Sequence, residues 1–236
     1  MLSAVLFDVD GTLADTERDG HRPAFNRAFA EAGLAECWDV ECWDVECWDV
    51  EDYGRRLAVP GGQQRIESFL AERGHADPAG FARVLHRAKT GYFLEWVRSG
   101  PVRSRSGVDA LISDLGAAGV RIGVVTTGRR AWVLPLLDRL FGAGVFEVVV
   151  TGDDVGRLKP APDAYLLALD RLGLRAAEVL VVEDSPPGLA AAVAAGPAAV
   201  VVTNDYTAGA EFPGAAAVLP SFDGLDARLL REVGRR

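Results

Sequence analysis

Ala4-Val5-Leu6-Phe7-Asp8-Val9-Asp10-Gly11-Thr12-Leu13 opens on four apolar residues and runs without a spacer into two carboxylates and a glycine. Four apolar residues that do not alternate with polar ones suit a strand buried on both faces, the kind found inside a parallel sheet. Asp8 and Asp10 stand at i and i+2, so on a leaving strand their side chains point the same way. Gly11 permits a sharp turn away from the sheet. Chemistry that needs two neighbouring acids can use such a pair: one metal-bound, ionised and nucleophilic, the other protonated as a general acid. A calcium loop is the competing explanation of Asp-x-Asp-Gly-Thr. It needs further oxygen ligands and a terminal Glu, which Leu13 and Ala14 do not supply.

Comparable Val-rich runs recur at Arg121–Val125, Phe146–Val150, Val179–Val182 and Ala198–Val202. Helical spacing of apolar residues separates them. Val108, Leu111, Ile112 and Leu115 form one such face; Trp132, Val133, Leu136, Leu137 and Leu140 form another. Tyr165, Leu166, Leu169 and Leu172 close on Gly173, and Leu189, Ala192 and Val193 close on Gly196. Alternating strands and helices predict an α/β fold, a Rossmann-like parallel sheet with helices on both faces. Residues 15–98 break the rhythm and read as helices, among them Arg22–Ala32, Gln63–Arg73 and Pro78–Val97. The expected organisation is therefore an α/β core of residues 1–14 and 99–236 with an all-helical insertion, 15–98, after the first strand.

Three further segments lie at or just after strand ends. In Val124-Val125-Thr126-Thr127-Gly128, a hydroxyl and backbone N–H groups can hold a phosphate. Lys159-Pro160 is expected at a helix start, where Lys159 can neutralise a phosphate and Pro160 suits the first helical position. Glu183-Asp184-Ser185 supplies hard oxygen ligands suited to Mg²⁺. Each is weak alone. Together with Asp8 and Asp10 they collect at the carboxyl edge of a parallel sheet, where open α/β sheets bind ligands.

Glu-Cys-Trp-Asp-Val occurs three times in succession, over residues 36–50. A five-residue step rotates about 140° on a helix and swaps faces on a strand, so neither element buries Trp38, Trp43 and Trp48 on one side. A tandem duplication of which one copy is structurally required is the expectation. The spacing of Cys37, Cys42 and Cys47 fits no zinc pattern. Three cysteines crowded together do not make a disulfide framework, which points to the cytoplasm. Leu2–Phe7 is too short, and lacks the preceding basic segment, for an export signal. No apolar run reaches the roughly 18 residues of a membrane span. A net charge of −9 disfavours a nucleic-acid partner, which rewards cations. An anionic small metabolite stays compatible, because a metal ion and a lysine reverse the local field. Nothing demands more than a monomer.

Taken in this order, the four segments resemble the haloacid-dehalogenase-like hydrolase superfamily. The resemblance implies that Asp8 is the nucleophile and Asp10 the general acid/base. It implies that Thr126 and Lys159 bind phosphate, with Thr127 beside them, and that Glu183 and Asp184 form the acidic metal pair. Mg²⁺ would be held by Asp8, the Asp10 backbone carbonyl and Asp184, with Glu183 as a ligand or its partner. The chain is also similar to the branch of CbbY-type xylulose-1,5-bisphosphate phosphatases and β-phosphoglucomutases. The stretches that carry this are Thr16-Glu17-Arg18-Asp19-Gly20-His21-Arg22, Ala24-Phe25-Asn26, Trp48-Asp49-Val50, Tyr53-Gly54, Leu57-Ala58-Val59, and Gly61-Gly62 with Arg65. The branch has Gly-Gly-Lys-Glu-Arg where this chain has Gly61-Gly62-Gln63-Gln64-Arg65. Neutral Gln63 thus replaces a substrate-facing lysine and costs a second phosphate about 1–3 kcal/mol of binding.

The expected activity is Mg²⁺-dependent hydrolysis of a small sugar phosphate or bisphosphate through an aspartyl-phosphate. His21 and Arg65 are the first candidates for substrate contacts in the helical segment; Gln63 and Asn26 are weaker ones. Arg129 either reaches the phosphate or is solvated at a helix start. A phosphosugar mutase and a non-catalytic phospho-ligand binder are the alternatives.

Overall fold

The computed structural model describes residues 2–34, 47–59 and 61–234. In chain order, β1 (Ala4–Phe7) is followed by a wide π-type turn at Glu17–His21 and by α1 (Arg22–Glu31), α2 (Val50–Arg56), α3 (Gly62–Glu72) and α4 (Pro78–Ser99). Next come α5 (Val108–Ala117), β2 (Arg121–Val125), α6 (Arg130–Phe141), β3 (Val148–Val150) and α7 (Asp163–Leu172). After these are β4 (Val179–Glu183), α8 (Pro186–Ala195), β5 (Ala198–Val202), β6 (Ala217–Leu219) and α9 (Ala227–Val233). These elements form two compact units, Met1–Asp15 with Arg103–Arg236, and Thr16–Val102.

The first unit is built on one parallel six-stranded sheet in the order β3-β2-β1-β4-β5-β6. This is the doubly wound arrangement that the alternating pattern predicts. Ala4 and Leu6 join Tyr165 and Leu169 of α7 and Leu189 and Ala192 of α8 in one apolar layer. Val5 and Phe7 are equally buried and, by the two-residue period, face the opposite side. There Gly234, just past α9, comes against Leu180, and α9 is tied to α5 by the Ala227 N–H donating to Asp114 Oδ2 at 2.7 Å. The register sets the strand ends level: Phe7 pairs with Val124 on one side and Val182 on the other. Asp8 therefore leaves the sheet between Val125 and Glu183.

The structure moves some boundaries. β3 begins at Val148, not Phe146, and β4 runs one residue longer, so Glu183 is still on the strand. Lys159-Pro160 is not at a helix start. The Ala161 N–H bonds back to the Leu158 carbonyl at 3.0 Å in a turn, and α7 begins only at Asp163. β6, α2 and α9 were not anticipated; β6 has three residues and α2 and α9 have seven each, too short for a clear period.

In the helical unit, Trp48 is fully buried. Its ring lies 4.7 Å from Phe29, 4.9 Å from Phe25 and 5.2 Å from Phe69. Asn26 brackets its backbone, donating to the Trp48 carbonyl and accepting from the Trp48 N–H, both at 2.9 Å. Asp49 then caps α2 by accepting from the Asp52 N–H at 2.7 Å. The third copy of the repeat thus supplies both a core residue and a helix cap. The first two copies, with Cys37, Cys42, Trp38 and Trp43, lie outside the described residues.

Candidate active site

Asp8 continues the strand pairing for one residue, its N–H donating to the Val182 carbonyl at 3.0 Å. The chain then folds tightly: the Val9 carbonyl accepts from the N–H groups of Thr12, Leu13 and Ala14, and the Gly11 N–H donates to the Ala14 carbonyl. Gly11 has φ 84°, a conformation that only glycine adopts without cost. A Cβ there would also lie 2.4 Å from Asp184 Oδ2. The turn therefore needs a glycine for its shape and for the close approach of the acidic pair.

Lys159 comes from the loop before α7 and is nearly sealed from solvent. Its ammonium donates to Asp8 Oδ1 at 2.7 Å, Glu183 Oε1 at 2.6 Å and the Val125 carbonyl at 2.8 Å. Those three bonds use all three of its N–H groups, so a ligand must displace one of them to gain a bond from Lys159. Glu183 is equally committed. Its Oε1 also accepts from the Tyr165 hydroxyl at 2.7 Å, and its Oε2 accepts from the Asp184 N–H at 3.2 Å and Ser185 Oγ at 3.3 Å. Gly188, in the first turn of α8, leaves it room: a Cβ there would lie 2.0 Å from Glu183 Oε2. Asp184 accepts from Thr12 Oγ1 at 3.3 Å and from Asn204 Nδ2 at 2.7 Å.

Oxygen atoms of Asp8, Glu183 and Asp184 lie within 4.8 Å of one another, and all three residues are buried. Three carboxylates against one ammonium leave excess negative charge in a desolvated place. Burial drives the Asp8 carboxyl well above the usual range; Lys159 opposes this, and Glu183, Asp184 and Asp10 add to it. Asp184 is pushed up to about 8, by burial and then Glu183, against the Asn204 hydrogen bond, Lys159 and Arg105. Burial would lower Lys159, but the Asp8 and Glu183 carboxylates outweigh it and raise its pKa. Hard oxygen donors carrying surplus charge are what a Mg²⁺-sized cation requires, so these residues fit such an ion.

The other expected residues are placed as follows. Asp10 is partly exposed beside the turn, and its carboxylate is not one of the three clustered ones. Thr126 is buried and accepts from the Gly128 N–H at 2.9 Å; Thr127 next to it is exposed. Arg129 donates to Asp153 at 2.6 Å. In the helical unit, Arg65 is buried, donating to the Arg56 carbonyl at 3.0 Å and to the Tyr53 hydroxyl at 3.2 Å. His21 stacks on Phe93 at 3.7 Å, with Nδ1 2.7 Å from Lys89 Nζ. Burial, then the Lys89 charge, holds the His21 imidazole well below its ordinary pKa and so neutral. Gln63 is half-buried on α3.

Three residues of this site were missed in the sequence. In the sequence Tyr165 is indistinguishable from the other members of an apolar helix face. Arg105 donates to the Gly11 carbonyl at 2.5 Å and to the Thr203 carbonyl at 2.7 Å. Asn204 stands two residues past β5, and that position at the carboxyl edge was the one available signal.

A family model described as a haloacid dehalogenase-like hydrolase matches residues 2–196. Protein CbbY of Rhodobacter capsulatus is 40% identical over 235 residues, covering 98% of this chain and 99% of that one. A crystal structure of a CbbY mutant from Rhodobacter sphaeroides in complex with xylulose-(1,5)bisphosphate superposes with a TM-score of 0.82 at 38% identity, covering 98% and 99% of the two chains. A putative β-phosphoglucomutase from Thermotoga maritima gives 0.74 at 26% identity, with 98% and 100% covered. The chain belongs to the haloacid dehalogenase-like hydrolases, and it is a phosphatase of that family.

Proposed function

We propose that this phosphatase hydrolyses a small sugar phosphate or sugar bisphosphate with Mg²⁺, through a phosphoryl group carried on Asp8. The observation that carries this is the Lys159 ammonium held between Asp8 Oδ1 and Glu183 Oε1, at 2.7 and 2.6 Å, in a buried carboxylate cluster. The similarity to a CbbY that binds xylulose-(1,5)bisphosphate supports the sugar class.

Asp8 and Asp184, with the Asp10 carbonyl, would hold the ion. Glu183, its acceptor positions taken by Lys159, Tyr165, Asp184 N–H and Ser185, would serve the site by holding Lys159. When bound, Mg²⁺ supplies positive charge that offsets repulsion between carboxylate and phosphate. An Asp8 oxygen attacks phosphorus, the ester P–O bond breaks, and Asp10 gives its proton to the leaving sugar oxygen. Asp10 then takes a proton from water as that water attacks phosphorus, releasing inorganic phosphate and freeing Asp8. Lys159, the Thr126 hydroxyl and nearby N–H groups hold the transferring oxygens. His21, Arg65 and Gln63 are assigned to substrate recognition. The chemistry needs one chain only, and the clustered cysteines support a cytoplasmic setting. Among the described residues no helix is long and apolar enough to cross a membrane.

The test is phosphate release from a panel of sugar mono- and bisphosphates, with and without a chelator, beside Asp8→Asn. Mg²⁺-dependent release in the parent and none in the folded variant is expected. An isomeric sugar phosphate in place of free phosphate would show a mutase instead. Wild-type release by Asp8→Asn would remove Asp8 as the nucleophile.

A further inference from the structure

We infer that Asn204 is a positioning residue that sets the metal-binding geometry of Asp184 by stapling it to the Gly11 turn, an inference that rests on the metal assignment above. The Asn204 amide spans three strand ends. Its Nδ2 donates to Asp184 Oδ2 at 2.7 Å, past β4, and to the Gly11 carbonyl at 3.2 Å, past β1. Asn204 itself lies past β5.

The orientation of the amide is fixed from its other end. Asn204 Oδ1 accepts from the Tyr206 N–H at 2.9 Å and from Thr207 Oγ1 at 3.3 Å, and the Asn204 N–H donates to Thr207 Oγ1 at 3.0 Å. Turning the amide over would set its oxygen against a carboxylate and its nitrogen against an N–H. Both hydrogens of Nδ2 therefore point at Asp184 and Gly11. Contact at that point is tight: a Cβ built on Gly11 would lie 2.5 Å from Asn204 Nδ2 and 2.4 Å from Asp184 Oδ2. Arg105 holds the same loop to the same carbonyl through Thr203 and Gly11.

Asp184 Oδ1 has Thr12 and Oδ2 has Asn204 as donors, so the carboxylate plane is set from both sides. The chemistry of the donor matters. An amide orients the carboxylate without bringing a positive charge, whereas a lysine or arginine there would neutralise Asp184 and repel a cation. Partners of this kind behind a metal ligand are commonly worth about 10–100-fold in metal affinity.

The experiment measures MgCl₂ binding to metal-free protein by calorimetry and by Mg²⁺-induced change in Tm, for the parent, Asn204→Leu and Asn204→Ser. Serine can still accept from the backbone two residues on and so keep the turn, but it is too short to reach Asp184. The expected result is Mg²⁺ binding weaker by about 10–100-fold in both variants, with Asn204→Ser still folded by circular dichroism and its metal-free Tm lowered by the loss of a donor to a buried carboxylate. KM for sugar phosphate at saturating Mg²⁺ stays at the parent value. Parent-like Mg²⁺ binding by Asn204→Ser would overturn the inference and leave Asn204 a turn residue; should Asn204→Leu not fold, the serine variant decides alone. A parent that binds no Mg²⁺ would overturn both this inference and the metal assignment beneath it.

Discussion

The Tyr165 hydroxyl donates to Glu183 Oε1 at 2.7 Å, so a residue of an apolar helix face holds a member of the acidic pair. Tyr165 is fully buried, and Lys159 Nζ stands 5.0 Å above its ring. One side chain on α7 thus steadies both members of the Lys159–Glu183 ion pair. Tyr165→Phe removes a donor from a buried carboxylate and is expected to cost about 1–3 kcal/mol of stability. Turnover should fall in parallel as Lys159 loses a fixed partner. Urea denaturation beside a phosphate-release assay checks both, and an unchanged unfolding midpoint would refute the bond.

Asp184 ties stability to pH and to metal. Its pKa of about 8 lies above the ordinary 3.8, so the folded protein keeps a proton that the unfolded chain has released. Stability from this group is fully present below pH 3.8 and is lost as pH rises through about 8. Metal-free protein should therefore lose thermal stability between pH 5 and 8 through this residue. Mg²⁺ binds the ionised carboxylate, so the rise in Tm that it causes should grow across the same window. Thermal melts at several pH values with and without MgCl₂ measure this; a Mg²⁺ effect independent of pH would contradict it.

Asp154 anchors the loop that leads to Lys159. It accepts from the Thr151 N–H at 2.8 Å and hydroxyl at 2.7 Å, from Arg130 at 2.6 Å and from Arg171 at 3.0 Å. Burial opposes ionisation there, but the Thr151 hydrogen bonds, with Arg171 and Arg130, hold the carboxyl far below its usual range. Asp154→Ala should destabilise by about 1–2 kcal/mol, the two arginines turning to water and so limiting the loss. It should lower kcat more than a distant surface change does. Parallel chemical denaturation and steady-state kinetics test this.

Trp48 is the member of the repeat that the helical unit buries. Trp48→Ala removes a ring packed among Phe25, Phe29, Tyr53 and Phe69 and should cost about 3–5 kcal/mol. Denaturant unfolding monitored by circular dichroism measures it, and a loss under 1 kcal/mol would show that Trp48 is not a core residue.

Local pattern by itself determined the strands, most helices and the parallel class of the sheet. A run such as Val179–Val182 has nowhere to go but a two-sided core, and glycines such as Gly173 and Gly196 end helices by backbone geometry alone. Pattern also pointed to Asp8, Lys159, Glu183 and Asp184, because acids and a lysine beside strand ends have no apolar reason to be there. It did not reach β6 or α9, whose few residues carry no period. Only the tertiary structure decided how the polar groups are used. Register levels Phe7 with Val182 and so sets Asp8 beside Glu183, and the loop before α7 brings Lys159 between them across 151 and 24 residues of chain. Asn204, Arg105 and the Tyr165 hydroxyl were invisible for the same reason: a hydrogen bond between distant segments depends on where strands end in space, and spacing along the chain does not encode that.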